Sequence, residues 1–170
     1  PLVSPAAYYA CHHAGVPVVQ TLHNYRLLCP SATLFRDGEM CDSCLGRYVP
    51  WPGILHGCYR DSRVATTAVS AMLTAHRVLH TWKSKVDLYV ALSEFAKKQF
   101  VAGGLPPERI VIKQNFVHSD PKPKNEEGHY GLYVGRLSEE KGIRILLSAW
   151  SYLAPSIPLN IAGDGPLREE

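Results

Sequence analysis

Two cations flank a turn that joins a predicted strand to a predicted helix. Arg136 and Lys141 lie in the segment Gly135-Arg136-Leu137-Ser138-Glu139-Glu140-Lys141-Gly142. Arginine offers a planar fork of donors and lysine a compact charge, while backbone N–H groups at a helix N-terminus favour anions. The segment therefore suits a diphosphate. The alternative is a surface turn in which Glu139 or Glu140 pairs with these cations.

Three other groups of candidate residues follow predicted strands. His23, next to Asn24, could donate a hydrogen bond or a proton to a reacting oxygen, although a purely structural histidine is the alternative. Ser93 ends a second strand and opens a helix. Gly163-Asp164-Gly165 ends a third, where glycine lets a ligand approach the backbone, although the same residues also make an ordinary turn. Ligands of open α/β sheets bind outside the carboxyl ends of the strands, so these positions are site candidates.

Four of the five cysteines lie in one segment rich in Gly, Pro and Arg, with the spacing C-x11-C-x2-C-x13-C; they are Cys29, Cys41, Cys44 and Cys58. The Cys-x-x-Cys turn lets two thiolates meet on one ion, and the outer two cysteines could complete a tetrahedral zinc site. Strong zinc patterns have two close pairs, whereas here the second pair is split. Free thiols, or one or two disulfides, are the alternatives.

Alternating strands and helices position these residues. Ser4-Pro5 predicts a helix start and Gly15 its end. Apolar residues at three- and four-residue steps predict one helix from residue 62 to about 85, with His76 and His80 on one face. The glutamate of a zinc hydrolase is absent between them, so packing or solvated histidines are favoured. The predicted strands cover residues 16–22, 86–92, 109–113, 130–135 and 158–162, and further helices cover 93–103 and 141–153.

Composition and charge narrow the class of protein. Short aliphatic strands alternating with helices predict an α/β fold with parallel sheets. Of 170 residues, 46% are hydrophobic, and no apolar run approaches the roughly 20 residues that span a bilayer. The net charge is +3, with +4 on residues 1–121 and −1 on residues 122–170. This falls short of the clustered basic surface of a nucleic-acid binder but is compatible with an anionic small molecule or a membrane surface.

Several of these segments, taken in order, resemble the group 1 (family 4) glycosyltransferases. The specific part is Gly-Arg-Leu followed by Glu-Lys-Gly and then Gly-Asp-Gly-Pro, and the cysteine-containing insertion is similar to that of a bacterial subgroup. The segments that carry the resemblance are Val18-Val19-Gln20-Thr21-Leu22-His23-Asn24-Tyr25-Arg26, Val90-Ala91-Leu92-Ser93, Gln114-Asn115-Phe116-Val117, Tyr133-Val134-Gly135-Arg136-Leu137-Ser138-Glu139-Glu140-Lys141-Gly142 and Leu159-Asn160-Ile161-Ala162-Gly163-Asp164-Gly165-Pro166.

The resemblance implies a GT-B architecture of two Rossmann-like parallel-sheet domains, each only partly present. Residues 1–118 would be the back part of the acceptor-side domain, with an insertion at 29–62. Residues 119–129, which are polar and contain proline, would be the linker, and 130–170 the first part of the donor-binding domain. The family's glycine-rich first loop and its Glu-x7-Glu motif would lie outside residues 1–170, so we expect these residues alone to be inactive.

By the same resemblance, the protein would be a retaining, hexosyltransferase-like enzyme. It would transfer a sugar from a nucleotide-diphosphate sugar to a glycan, lipid-linked or small-molecule acceptor. The process served would be the synthesis of cell-surface polysaccharides or glycoconjugates. Catalysis would need no metal. Arg136 and Lys141 would bind the donor diphosphate, with Gly135, Gly163, Asp164 and Gly165 bordering the nucleotide. His23 would be the catalytic residue, and Asn24 and Ser93 weaker substrate contacts. The enzyme would be cytoplasmic, touching the inner membrane face, without a nucleic-acid partner.

Two alternatives remain open at this point. One is a zinc-stapled binding module without catalysis, which rests on the four clustered cysteines. The other is a different GT-B enzyme, such as a nucleotide-sugar epimerase.

Overall fold

The structure is a computed structural model and describes residues 4–118, 128–153 and 157–169. The chain forms two compact units, residues 1–117 and 118–170. Residues 119–127 of the predicted linker lie outside the described residues.

The first unit contains a parallel sheet, a cysteine-containing insertion and the helices that flank them. Its elements in chain order are α1 (Ala6–His13), β1 (Val19–Leu22), β2 (Phe35–Arg36), β3 (Glu39–Met40), α2 (Trp51–Leu55), α3 (Arg63–Val78), α4 (Thr81–Ser84), β4 (Leu88–Ala91), α5 (Glu94–Ala102) and β5 (Ile110–Ile112). The sheet has the order β1-β4-β5, with every pair parallel. Leu22 lies opposite Ala91, which in turn lies opposite Ile112, so the three strands end at one common edge.

The core of this unit lies around the central strand β4. Tyr89, Phe100 and Leu73 are fully buried, which removes three large apolar side chains from water. The Tyr89 hydroxyl donates to the backbone oxygen of Trp82 at 2.7 Å, so the phenol is satisfied inside the core. Burial raises the pKa of Tyr89, which keeps the hydroxyl protonated.

The predicted single helix over residues 62–85 is wrong. Ser62 starts α3 as expected, because its hydroxyl accepts from the Ala65 N–H at 3.2 Å. The helix ends at Val78, and His80 then adopts a left-handed conformation with φ of 53°. His76 and His80 therefore do not share a helix face, and the i,i+4 spacing has no structural meaning here.

Long-range contacts explain this break. Thr81, fully buried, binds the Tyr9 hydroxyl at 2.6 Å and Nδ1 of His76 at 3.0 Å. The Trp82 ring lies 4.8 Å from the His76 ring. A continuous helix would carry these side chains away from the core, so tertiary packing overrides the helical pattern. His76 is a packing histidine, the interpretation that the sequence favoured.

One arginine of α3 binds several backbone oxygens of the insertion and of the loop before it. The β2–β3 hairpin and the five-residue helix α2 are the regular elements of the insertion among the described residues. The Arg77 guanidinium donates to the backbone oxygens of Leu27 and Leu28, which precede the insertion, and of Arg47 and Tyr48 within it. Four carbonyl acceptors satisfy a guanidinium that is largely removed from water, and burial lowers the pKa of Arg77.

The part of the second unit that the structure describes forms a strand–helix–strand crossover. Its elements are β6 (Gly131–Val134), a 3₁₀ turn (Glu139–Lys141), α6 (Ile143–Trp150) and β7 (Leu159–Ala162). The strands β6 and β7 pair in parallel, with Val134 opposite Ala162. The predicted helix over 141–153 starts at Ile143, because Gly142 has φ of 67° and separates the 3₁₀ turn from α6.

The α/β class predicted from the sequence is confirmed in its coarse form. The chain contains small parallel sheets joined through helices, an arrangement compatible with Rossmann-like character. Across the described ranges, none of the helices combines the length and the apolar character needed to cross a bilayer.

Candidate functional site

In the second unit, two loops meet where β6 and β7 end. The Gly135 N–H donates to the Ala162 oxygen at 3.1 Å, and the Leu137 N–H donates to the Asp164 oxygen at 2.9 Å. A Cβ atom added to Gly163 would lie 1.9 Å from the Gly135 oxygen. No side chain fits at such a distance from backbone, so this approach of the two loops requires glycine.

Gly165 makes a second contact of the same kind. A Cβ atom there would lie 2.2 Å from the Leu137 oxygen. The Asp164 side chain stabilises its own turn, because Oδ1 accepts from the Gly165 N–H at 2.8 Å and Oδ2 lies 3.6 Å from Nη1 of Arg168. The predicted nucleotide-bordering residues therefore lie together, at the carboxyl edge of a parallel strand pair.

Arg136 follows Gly135 directly, and Lys141 ends the 3₁₀ turn that comes next. Nη2 of Arg136 is 3.1 Å from Oε1 of Glu140, which is the ion pair that the sequence offered as the alternative to a diphosphate site. The Arg136 side chain is two-thirds exposed, so this ion pair contributes little to stability. Partial burial by itself would raise the pKa of Glu140, but hydrogen bonding and the nearby positive charges of Arg136 and Lys141 lower it overall.

In the first unit, His23 and Asn24 line a cavity of about 190 Å³ at the end of β1. Its remaining lining comes from α1, β1, the following loop, α3 and α4, and consists of Pro5, Tyr8, Gln20, Thr21, Leu22, Arg26, Leu27, Met72, Leu73 and Trp82. The His23 side chain is exposed, which leaves it accessible to a ligand. Oδ1 of Asn24 accepts from the Arg26 N–H at 3.0 Å and so shapes the turn after the strand.

Sequence reasoning missed Arg26 and Tyr8 as lining residues of this cavity. Arg26 is half-buried, its guanidinium lies 4.9 Å from the centre of the Tyr59 ring, and one of its N–H groups donates to the Pro30 oxygen. Burial lowers the pKa of Arg26. The Tyr8 hydroxyl donates to Oε1 of Gln20 at 2.8 Å. The position of Arg26, three residues after His23, was the one available signal.

Ser93 begins α5 rather than lining the cavity. Its hydroxyl accepts from the Ala96 N–H at 3.1 Å, which caps the helix as the sequence predicts. It follows β4, the neighbour of β1, so Ser93 and His23 lie at the same edge of the sheet. Its proposed contact with substrate stays a prediction, as do the roles of the other site residues.

The cysteines of the insertion are partly or fully buried. Cys29 and Cys44 are buried, Cys41 and Cys58 are half-buried, and all four carry free thiols. Within the described residues, no group of three or more His, Cys, Asp or Glu side chains is arranged so that it could hold a metal ion.

Comparison of the chain with protein-family models, with curated proteins and with solved structures finds no match.

Proposed function

We propose that this chain carries parts of a retaining glycosyltransferase of the GT-B type. The reaction moves a sugar from a nucleoside-diphosphate donor to a glycan, lipid-linked or small-molecule acceptor. The observation that supports this most strongly is the contact of Gly163 with the Gly135 oxygen, because it holds the loop that begins with Gly135 and Arg136 against the Gly163-Asp164-Gly165 turn at the ends of two parallel strands.

The chemistry of glycosyl transfer fits these residues. The bond between the anomeric carbon and the phosphate oxygen breaks, the acceptor oxygen bonds to that carbon, and the acceptor proton leaves with the departing diphosphate. Negative charge therefore grows on the phosphate oxygens. Arg136 and Lys141 would stabilise this charge, and loss of one preorganised donor of this kind costs about 10²–10³ in rate.

The cavity beside His23 is the candidate acceptor site in the first unit. Its volume of about 190 Å³ is below the roughly 300–1,000 Å³ of pockets that take drug-sized ligands. It therefore suits a single sugar ring or the terminal group of a larger acceptor. His23 and Arg26 supply donors and Gln20 an acceptor for hydroxyl groups.

Nucleotide binding tests the donor half of the proposal. We expect one of UDP, GDP or ADP to bind the chain in isothermal titration calorimetry, and Arg136→Ala or Lys141→Ala to weaken that binding. A charge-assisted hydrogen bond worth about 1.5–3 kcal/mol corresponds to a loss of about 10- to 150-fold in affinity. Lys98→Ala, at an exposed lysine of α5, is the matched control and should bind like the parent chain.

A donor screen with the longest available form of the protein tests the reaction. Transfer or slow hydrolysis of a nucleotide sugar, lost in Arg136→Ala, is the expected result. Failure of every nucleoside diphosphate and nucleotide sugar to bind would refute the proposal. Recovery of an epimerised nucleotide sugar instead of transfer would replace it by an epimerase.

A further inference from the structure

Three cysteine-bearing segments of the insertion converge on Gly53. A Cβ atom at Gly53 would lie 2.9 Å from Cγ of Pro30, the residue after Cys29, and 3.5 Å from Sγ of Cys44. The Cys58 N–H donates to the Gly53 oxygen at 3.0 Å. The backbone therefore brings together cysteines that are far apart in sequence.

The β2–β3 hairpin adds the fourth cysteine. Cys41 follows β3 directly, and its N–H donates to the Leu34 oxygen at 2.8 Å, which continues the hairpin pairing. The turn that follows Cys41 and contains Cys44 is closed by a hydrogen bond from the Leu45 N–H to the Asp42 oxygen at 2.7 Å. A Cys-x-x-Cys turn at the end of a hairpin is a common way to direct two thiolates at one metal ion.

The insertion also keeps the four thiols away from water. Cys29 and Cys44 are buried, and Cys41 and Cys58 are half-buried. Cys11, which belongs to α1, has no part in this cluster.

Three arginines lie near these cysteines. Arg36 lies within electrostatic reach of Cys41 and Cys58, Arg26 within reach of Cys29, and Arg77 within reach of Cys29 and Cys44. Four thiolates around one divalent cation carry two net negative charges, which nearby guanidinium groups offset.

We propose that Cys29, Cys41, Cys44 and Cys58 bind one zinc ion as a structural site. Four protein ligands fill a tetrahedral shell and leave no position for a reacting water, which makes the site structural and not catalytic. The insertion has two strands of two residues and a helix of five, so a cross-link supplies order that these short elements do not.

Among the described residues, the side chains as they stand form no metal-binding group. Sγ of Cys29 lies 3.1 Å from Oγ of Ser31, and Sγ of Cys41 lies 3.5 Å from Oγ of Ser43. Zinc binding would therefore require these two side chains to exchange their serine contacts for the metal. The site would also anchor the chain just after Arg26, and so support one wall of the cavity beside His23.

Metal analysis of the full chain, purified under reducing conditions, tests the proposal without any sugar substrate. We expect one zinc per chain, and tetrahedral tetrathiolate absorption after replacement by cobalt. Serine at any of the four positions should weaken zinc binding by more than the roughly 10- to 100-fold that loss of an outer hydrogen-bond partner costs. The control Cys11→Ser should keep one zinc.

Alkylation of the parent chain keeps the test valid if the serine variants fail to fold. With zinc bound, iodoacetamide should modify Cys11 and leave the other four cysteines protected; after chelation all five should react. Absence of zinc and of cobalt–thiolate absorption would overturn the proposal. So would equal alkylation of all five cysteines in the presence of zinc, or a mass showing two disulfides in the isolated protein.

Discussion

Replacing Gly163 by alanine tests the geometry on which the candidate donor site depends. The added methyl group would lie 1.9 Å from the backbone oxygen of Gly135, and contacts below 3.0 Å essentially never occur. Neither partner is the flexible end of a side chain, so the two loops must separate. Their separation strains the hydrogen bonds on either side, from the Gly135 N–H to the Ala162 oxygen and from the Leu137 N–H to the Asp164 oxygen.

The cost follows from these contacts. Overpacking costs about 1–3 kcal/mol, and each weakened hydrogen bond adds about 1 kcal/mol. The lower entropy of the unfolded chain after a glycine-to-alanine change returns about 0.4–1 kcal/mol. We therefore expect the second unit to lose about 2–4 kcal/mol of stability.

Amide hydrogen exchange, read by mass spectrometry on peptides from β6 and β7, measures this loss within the full chain. A loss of about 2–4 kcal/mol corresponds to exchange that is about 30- to 1,000-fold faster. Gly128→Ala is the matched control in the same unit, because a Cβ atom there meets nothing within 4 Å. If Gly163→Ala exchanges like Gly128→Ala and binds nucleoside diphosphates equally well, the inferred glycine contact is wrong.

Two further predictions concern charge. Glu140 pairs with Arg136 in an exposed setting, and such a pair contributes about 0.2–1 kcal/mol. Glu140→Gln should therefore strengthen nucleoside-diphosphate binding by about 1.5- to 5-fold in calorimetry. Weaker binding would mean that Glu140 positions Arg136 for the ligand. Burial lowers the pKa of His76 from its usual 6.5, so His76 binds a proton more readily in the unfolded chain than in the folded one. Its contribution to stability is therefore complete above pH 6.5 and is lost as the pH falls below that value. The melting temperature of His76→Gln should therefore fall less between pH 7.5 and pH 5 than that of the parent chain, and equal falls in the two proteins would contradict this reasoning.

Local signals in the sequence predicted most elements correctly. The aliphatic segments that contain β1, β4, β5, β6 and β7 were all identified, because each is a short run bounded by polar or turn residues. The helix cap at Ser93 was equally predictable from the sequence, since a hydroxyl and the N–H group three residues later form the whole interaction. The end of α3 was not readable, because the Tyr9 hydroxyl that binds Thr81 is 72 residues away in the chain.

Some features of the candidate site were likewise predictable from local sequence, and others were not. Residue type and spacing identified Arg136, Lys141 and the glycines, since those properties belong to single short segments. The ion pair of Arg136 with Glu140 was one of two open alternatives, and only the folded turn showed that it forms. The presence of Arg26 in the cavity beside His23 depends on how α1, α3 and α4 meet around β1, which no local pattern contains.

The sequence by itself determined the α/β class, the positions of the short strands and the residues with the chemistry to bind a diphosphate, because these depend on neighbours within a few residues. Tertiary structure decided which of those residues share a surface. Parallel pairing of β6 with β7 brings Gly163 into contact with the Gly135 oxygen. The fold of the insertion brings three cysteine-bearing segments together at Gly53. Both outcomes depend on contacts between distant segments, whose energies arise only when the whole unit packs.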